Sequence, residues 1–485
     1  MDSTAIKSVI IVGSNISAYM TAFAMKRKFS DLIVAVLGPS ESPALRIGES
    51  TTVMTPNFID SLGISKEYFY SKIKPVHKVV ARFDFGTGAD WDYSLNTNLT
   101  REFGQHTRAC YVHKTKDYSS SFYSSMVAND SKDIADSAGA LCANLGHGFH
   151  VKIGELRQFF KDHSEAISVR SIDGNLQNIV RDEQGKVTKI QTECGRFLSA
   201  DLFIDCTGFK KSLIGKMGSS FISHKDVLSC DTAVLCTKPA DKVKPYTMSS
   251  KMDNGWMWSV DHRDHVSSHG YVYSSSHSTL DVAARELSVK LGVSDEDFKA
   301  INFESGHLEK AWINNVVAVG TSALFIDPME ATGQHLNIIA IEALISLIEK
   351  SHRKNNSKAV DVYNKLNAMD ACRTKEFIQT HYKFCKGIDT GFWDDMRSLE
   401  LTGVAKEITD WYYYMGPTVT DGTLGSVVND PSDFYGLEGY YSVLLGCEAP
   451  TIWENPVTDG ELELWRSHLR WEQQFVDTLP SYSSK

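Results

Sequence analysis

Apolar positions fall into short unbroken runs and helically spaced sets, and together these give a first map of the elements. Residues 7–12 form a short apolar run that reads as a buried strand. It leads into Gly13-Ser14-Asn15-Ile16-Ser17-Ala18, after which Ile16, Met20, Phe23 and Ala24 fall at helical spacing up to about Phe29. Residues 31–37 form a second apolar run. Strand, glycine turn, helix, strand is the opening of a dinucleotide-binding unit, with a pyrophosphate over the helix N-terminus. Only Gly13 of the usual glycines is present; Ser14, Ser17 and Ala18 are small enough for close backbone approach. Taken alone, the pattern fits an ordinary α/β crossover equally well.

Later runs extend the map. Ile179-Val180 precedes a hairpin-like turn at Asp182–Gly185, and residues 201–205 are a strand ending in Cys206-Thr207-Gly208. Residues 312–320 read as another buried strand, and an apolar helix is predicted over about 334–348. Pro328 stands ahead of that helix, as expected near a helix start. The amides of Thr332 and Gly333 would lie at its positive end, where an anion is favoured. Glu330 beside them is either a cap or a working carboxylate. Gly255-Trp256-Met257-Trp258 puts two indoles on one side of a strand, as core or as the wall of a cavity. Lys78 sits in an apolar strand with Val76, Val80 and Phe83, and an inward lysine there needs a partner or a task.

Composition narrows the class. At 485 residues and 54.0 kDa the chain predicts two or three closely packed domains. The formal net charge of -10 argues against nucleic acid as a partner. No apolar run looks long enough to span a bilayer, and the 9–12 stretch is too short for a signal peptide. The nine cysteines are scattered and never form a Cys-x-x-Cys pair, which predicts neither a disulfide framework nor a metal site. A reduced, cytoplasmic setting is expected.

Several of these segments resemble, in order, the motifs of flavin-dependent halogenases of the tryptophan-halogenase type. Gly255-Trp256-Met257-Trp258 resembles their Gly-Trp-x-Trp motif, with Val260-Asp261 in place of Ile-Pro. Gly48-Glu49-Ser50-Thr51, after Arg46-Ile47, resembles the strap that grips FAD, and 201–209 resembles the strand and turn that complete the flavin domain. Asp327 to Gly333 resembles the segment that carries the halide site and the catalytic glutamate, with Ala331 in place of serine. The run from Pro56-Asn57-Phe58 to Phe83 places Lys78 on the catalytic lysine. Asp389-Thr390-Gly391-Phe392-Trp393 and the preceding His381-Tyr382 resemble the helix leading to the family's C-terminal bundle. The resemblance covers roughly residues 7–395.

It implies an α/β fold: a glutathione-reductase-like FAD-binding (Rossmann-type) domain with an inserted β-sheet and a helical C-terminal part. The expected division is 1–350 for the FAD-binding module, with the inserted substrate-side sheet at about 216–300, and 351–485 for the helical substrate-cavity part. FAD, as FADH2 from a separate flavin reductase, would contact Gly13, Ser14, Ser17, Ala18, Gly48, Glu49, Ser50, Thr51 and Asp327. At the tip of the second strand, Leu37-Gly38-Pro39 stands where an acidic residue normally holds the ribose, leaving Ser40 or Glu41 to serve. Halide would sit at Thr332 and Gly333, and Trp256 and Trp258 would wall the flavin off from a small aromatic substrate.

The implied chemistry is that reduced flavin, O2 and halide give hypohalous acid, which reaches Lys78 and is attacked by an electron-rich ring. Glu330 then takes the ring proton. An indole is as good a candidate substrate as tryptophan. Bromide and iodide, which oxidise more readily than chloride, are predicted to be at least as well used. Two alternatives stay open: a flavin monooxygenase that hydroxylates an aromatic ring, and a flavin-binding protein without turnover. A homodimer is compatible with the fold class, but nothing in the chain specifies it.

Overall fold

The computed structural model describes residues 5–40, 48–88, 90–95, 146–294, 298–354, 356–417, 434–454 and parts of 458–477. Glu41 and Arg46-Ile47 lie outside the described residues. The apolar strand Ser8–Val12 pairs in parallel with Ile33–Gly38 on one side and Leu202–Asp205 on the other. Helix Ile16–Lys28 makes the crossover between the first two, with Asn15 accepting from the Ala18 amide as its cap. Six strands complete this sheet in the order 312–313, 316–318, 202–205, 8–12, 33–38, 170–173. All its pairs are parallel except the short hairpin between Trp312–Ile313 and Val316–Ala318. Parallel strands are covered on both faces, which explains why they read as unbroken apolar runs.

The hairpin predicted near 182–185 joins Leu176–Arg181 to Val187–Thr192. The double-tryptophan strand, Gly255–Asp261, lies inside a seven-stranded sheet. That sheet draws on more of the chain than 216–300: Val80–Phe83 and Trp91–Ser94 form one edge. Val80–Phe83 joins by parallel pairing with Tyr246–Met252, so the residues that follow Lys78 are built into the same layer as the indoles. A small sheet of Gly48–Ser50, Gly148–Lys152 and Val76–Lys78 sets the strap beside the lysine.

Helix Thr332–Lys350 runs through the core and is followed by helix Ser357–Phe384 and by the shorter helices Gly391–Ser398, Gly403–Met415 and Gly436–Gly446. One expectation needs correcting here. The stretch Met329–Lys350 is long and apolar enough, by composition, to cross a membrane, yet half of its most apolar window is buried inside the fold. It packs on helices Ile16–Lys28, Met54–Ser61 and Ser357–Phe384, so core packing accounts for its hydropathy. Some of the C-terminal aromatic residues pack within the protein: Tyr435 stacks on Phe377 at 4.0 Å, and Tyr412 and Tyr440 are buried, whereas Tyr413, Tyr414 and Phe434 are exposed.

Candidate active site

A cavity of about 300 Å³ opens between the seven-stranded sheet, the small sheet that carries the strap and the start of helix Thr332–Lys350. Its wall brings together Gly48, Glu49, Ser50, Lys78, Trp256, Trp258, Glu330 and Gly333, which the chain scatters over nearly 300 positions. The strap sits there because Gly48 has no side chain. A Cβ on it would lie 1.9 Å from His262 Nε2. Burial pushes His262 down to about 4, so the ring against the strap is neutral near pH 7. The Gly48 amide donates to Ser268 Oγ, and Ser50 Oγ accepts from Thr247 at 2.8 Å. Gln334 donates to Glu49 at 3.1 Å, while burial raises the Glu49 carboxyl. Thr51 faces away from the cavity: its Oγ1 accepts from the Phe149 amide at 2.8 Å and pins the strap from behind.

Lys78 ends its short strand with 1% of its surface exposed. Burial lowers its ammonium to about 8, and the Glu330 carboxylate pulls the other way. Near neutral pH it therefore stands close to its own titration point. Neighbouring His150 is held well below the ordinary histidine range by burial and then by the Lys78 charge. No described residue accepts a hydrogen bond from the Lys78 ammonium, and the cavity is what it faces.

Glu330 and Ala331 both have left-handed backbone, at φ 62° and φ 60°. This is uncommon for residues with a Cβ, and two in succession form a tight turn. The turn is anchored by Asp327, whose Oδ1 accepts from the Met329 amide and from Trp256 Nε1, each at 3.2 Å. Its Oδ2 accepts from Tyr382 at 2.7 Å, and its carbonyl accepts from Thr332 Oγ1 at 3.1 Å. Asp327 is therefore wholly buried and absent from the cavity wall; burial raises its carboxyl to about 6. Both side-chain oxygens of this expected cofactor contact are engaged by the protein. Thr332 is likewise buried, and only Gly333 of the expected halide pair reaches the cavity. A Cβ on Gly333 would meet nothing within 4 Å, so the space beside its Cα is open. The Glu330 side chain does not cap the helix. It meets His381 Nε2 at 3.1 Å.

Trp256 and Trp258 share one face, as the strand spacing predicts, and both line the cavity. Gly270 on the neighbouring strand makes room for the second indole, since a Cβ there would lie 2.4 Å from Trp258 Nε1.

The glycine turn lies apart from this cavity, at the end of strand Ser8–Val12. Gly13 has φ 118°, and a Cβ on it would lie 2.3 Å from the Cys206 carbonyl oxygen. Its lack of a side chain is thus required by the crossing backbone itself. Ser14 Oγ donates to the Pro39 carbonyl, while Ser17 and Ala18 are buried in the first turn of the helix. Sequence reasoning missed Arg157. Its Nε donates to the Ser14 carbonyl, yet its Nη2 is buried with no partner among the described residues. A buried guanidinium without a counter-charge at a dinucleotide turn fits a diphosphate. The turn, the open strap and Arg157 therefore fit FAD. Asp205 fixes the turn at 206–208 by accepting from the Thr207, Leu213 and Ile214 amides.

The family model for tryptophan halogenase matches residues 8–460. The chain is 27% identical to tryptophan 6-halogenase ThaL of Streptomyces albogriseolus, over 98% of this chain and 97% of that one. It is 26% identical to tryptophan 7-halogenase RebH of Lentzea aerocolonigenes, with the same coverage of 98% and 97%. The solved structure of MibH, a lanthipeptide tryptophan 5-halogenase, superposes with a TM-score of 0.88 at 26% identity, covering 98% of this chain and 92% of that one. On its fold, its cavity and this match over nearly its whole length, the chain belongs to the tryptophan halogenase family of flavin-dependent enzymes.

Proposed function

We propose that the protein uses FADH2, O2 and a halide to halogenate an electron-rich aromatic ring, an indole or tryptophan, by way of hypohalous acid and Lys78. The observation that carries this reading is the enclosed lysine and carboxylate facing one cavity whose wall holds two indoles. Bound flavin would be held by the turn at 13–18, by Arg157 and by the strap at 48–50, and would supply the oxidant from O2 and halide. A separate flavin reductase would supply the reduced cofactor. The Gly333 amide, at the positive end of a long helix, offers a place for the halide.

Lys78 has two ways to handle the oxidant. As an ammonium it donates a hydrogen bond to hypohalous acid; as an amine it accepts halogen directly. Its lowered value keeps both forms accessible near neutrality. Glu330, beyond it on the same wall, takes the proton that the ring loses after the carbon–halogen bond forms. The indoles of Trp256 and Trp258 separate the flavin side from the ring being halogenated.

Incubation with a flavin reductase, NADH, FAD, bromide and a panel of indoles is expected to give products with a bromine isotope pattern. Products carrying oxygen instead would make the protein a hydroxylase. The Lys78→Ala variant is expected to lose halogenation while still consuming reduced flavin, and retained product would remove Lys78 from the mechanism.

A further inference from the structure

The Glu330–His381 contact carries more than a hydrogen bond. Within helix Ser357–Phe384, His381 Nδ1 lies 3.0 Å from the carbonyl oxygen of Phe377. A carbonyl only accepts, so Nδ1 bears a proton. On the opposite edge of the ring, Nε2 lies 3.1 Å from Glu330 Oε1. A neutral imidazole already protonated at Nδ1 presents a lone pair at Nε2, and an ionised carboxylate presents another. Facing lone pairs at this distance repel. The side chains are 0% and 3% exposed, so solvent does not screen the repulsion. The contact holds only with a proton inside it, on Nε2 or on Oε1.

The surroundings keep that proton in place. Rings of Phe83, Trp91 and Phe377 stand 5.2, 6.3 and 4.9 Å from the His381 ring. Among the described residues, Lys78 acts on Glu330 and Asp327 on His381. The next residue on the helix, Tyr382, grips Asp327. Adjacent positions on one helix thus clasp the carboxylates at both ends of the turn 327–330. Oε2 of Glu330 has no hydrogen-bond partner among the described residues, and Glu330 is part of the cavity wall.

We propose that His381 is a positioning residue for halogenation, sharing one proton with Glu330 Oε1 so that Oε2 is held toward the cavity as the proton acceptor. This rests on the halogenase reading above. In the step it serves, a ring electron pair forms the carbon–halogen bond as the halogen's bond to oxygen or nitrogen at Lys78 breaks. The ring C–H pair then returns to the ring and its proton goes to Oε2. The shared proton stays where it was.

Two variants separate this from simple packing. In His381→Gln the amide N–H reaches the place of Nε2 and keeps the bond to Glu330. In His381→Asn the shorter amide keeps the Phe377 carbonyl and leaves Glu330 without a donor. Both are assayed with a flavin reductase, NADH, FAD, bromide and indole, and with a β-diketone trap for free oxidant.

His381→Asn is expected to lower kcat for bromoindole by about 100-fold, the size of a misplaced general base, with KM and trapped oxidant unchanged. His381→Gln is expected to recover kcat to within about tenfold of the wild type. Equal kcat in the two variants overturns the proposal. In the wild type itself, ring nitrogen NMR shifts of labelled histidine, assigned by their loss in His381→Gln, are expected to show a hydrogen-bonded Nε2 across neutral pH. A bare lone-pair shift there overturns it as well. A wild type that makes no bromoindole defeats the halogenase reading, whereas the NMR arm still decides whether the proton is shared.

Discussion

A lysine with 1% of its surface exposed must be explained by what it faces, because a buried ammonium loses its hydration. Lys78 faces the cavity and the Glu330 charge, which limits the fall in its value to about 8. Arg157 poses the same question at the other end of the flavin domain, where its Nη2 is buried without a partner among the described residues. A diphosphate answers it. Arg157→Gln is therefore expected to weaken binding of oxidised FAD by about 10-fold or more, the size of one charge-assisted hydrogen bond. Titration of flavin fluorescence reads this without turnover, and an unchanged affinity would assign Arg157 to packing alone.

Among the elements, helix Ser357–Phe384 holds the turn that forms part of the cavity wall. Its Tyr382 donates at 2.7 Å to Asp327, which in turn holds Trp256 and the Met329 amide. Strand, turn and helix are thus joined through one buried carboxylate. Tyr382→Phe removes a donor and leaves Asp327 Oδ2 unpaired, at a cost of about 1–3 kcal/mol. A lower thermal midpoint is expected, together with altered tryptophan fluorescence from the loosened Trp256. A melting curve identical to that of the wild type would show that water replaces the tyrosine hydroxyl. The strap illustrates the converse, a place where an element depends on having no side chain: Gly48 lies against His262 with no room for a Cβ.

Across the whole molecule, halide choice belongs to the full reaction rather than to one contact. On the function proposed above, the anion would be held near Gly333, oxidised at the flavin and delivered past the indoles to Lys78. Bromide gives up electrons more readily than chloride, so an equimolar mixture of the two is expected to give at least as much brominated as chlorinated product. Chlorinated product alone, read by mass spectrometry, would show that the site selects by size or field instead.

Much of this was legible in the chain because it is local. Strand, turn and helix at 8–28 follow from apolar spacing, and Trp256 and Trp258 share a face because strand side chains alternate. The order of the motifs was enough to suggest the family and to nominate Lys78 and Glu330. The orientation of side chains around the turn 327–333 was not legible. Asp327 and Thr332 looked like ligands, but which of several polar groups in a tight turn points inward depends on what packs behind it. Here that is Trp256 and Tyr382, 71 and 55 positions away.

The sequence alone determined the element types, the dinucleotide-type opening and the residues capable of the chemistry, since these depend on neighbours within a few positions. Only the tertiary structure decided that Arg157 meets Ser14 across 143 positions and that His381 meets Glu330 across 51. Such pairings are fixed by the packing of whole helices and sheets. Burial then gives each contact its meaning, because a charge or a lone pair shut away from water must find its partner inside the protein.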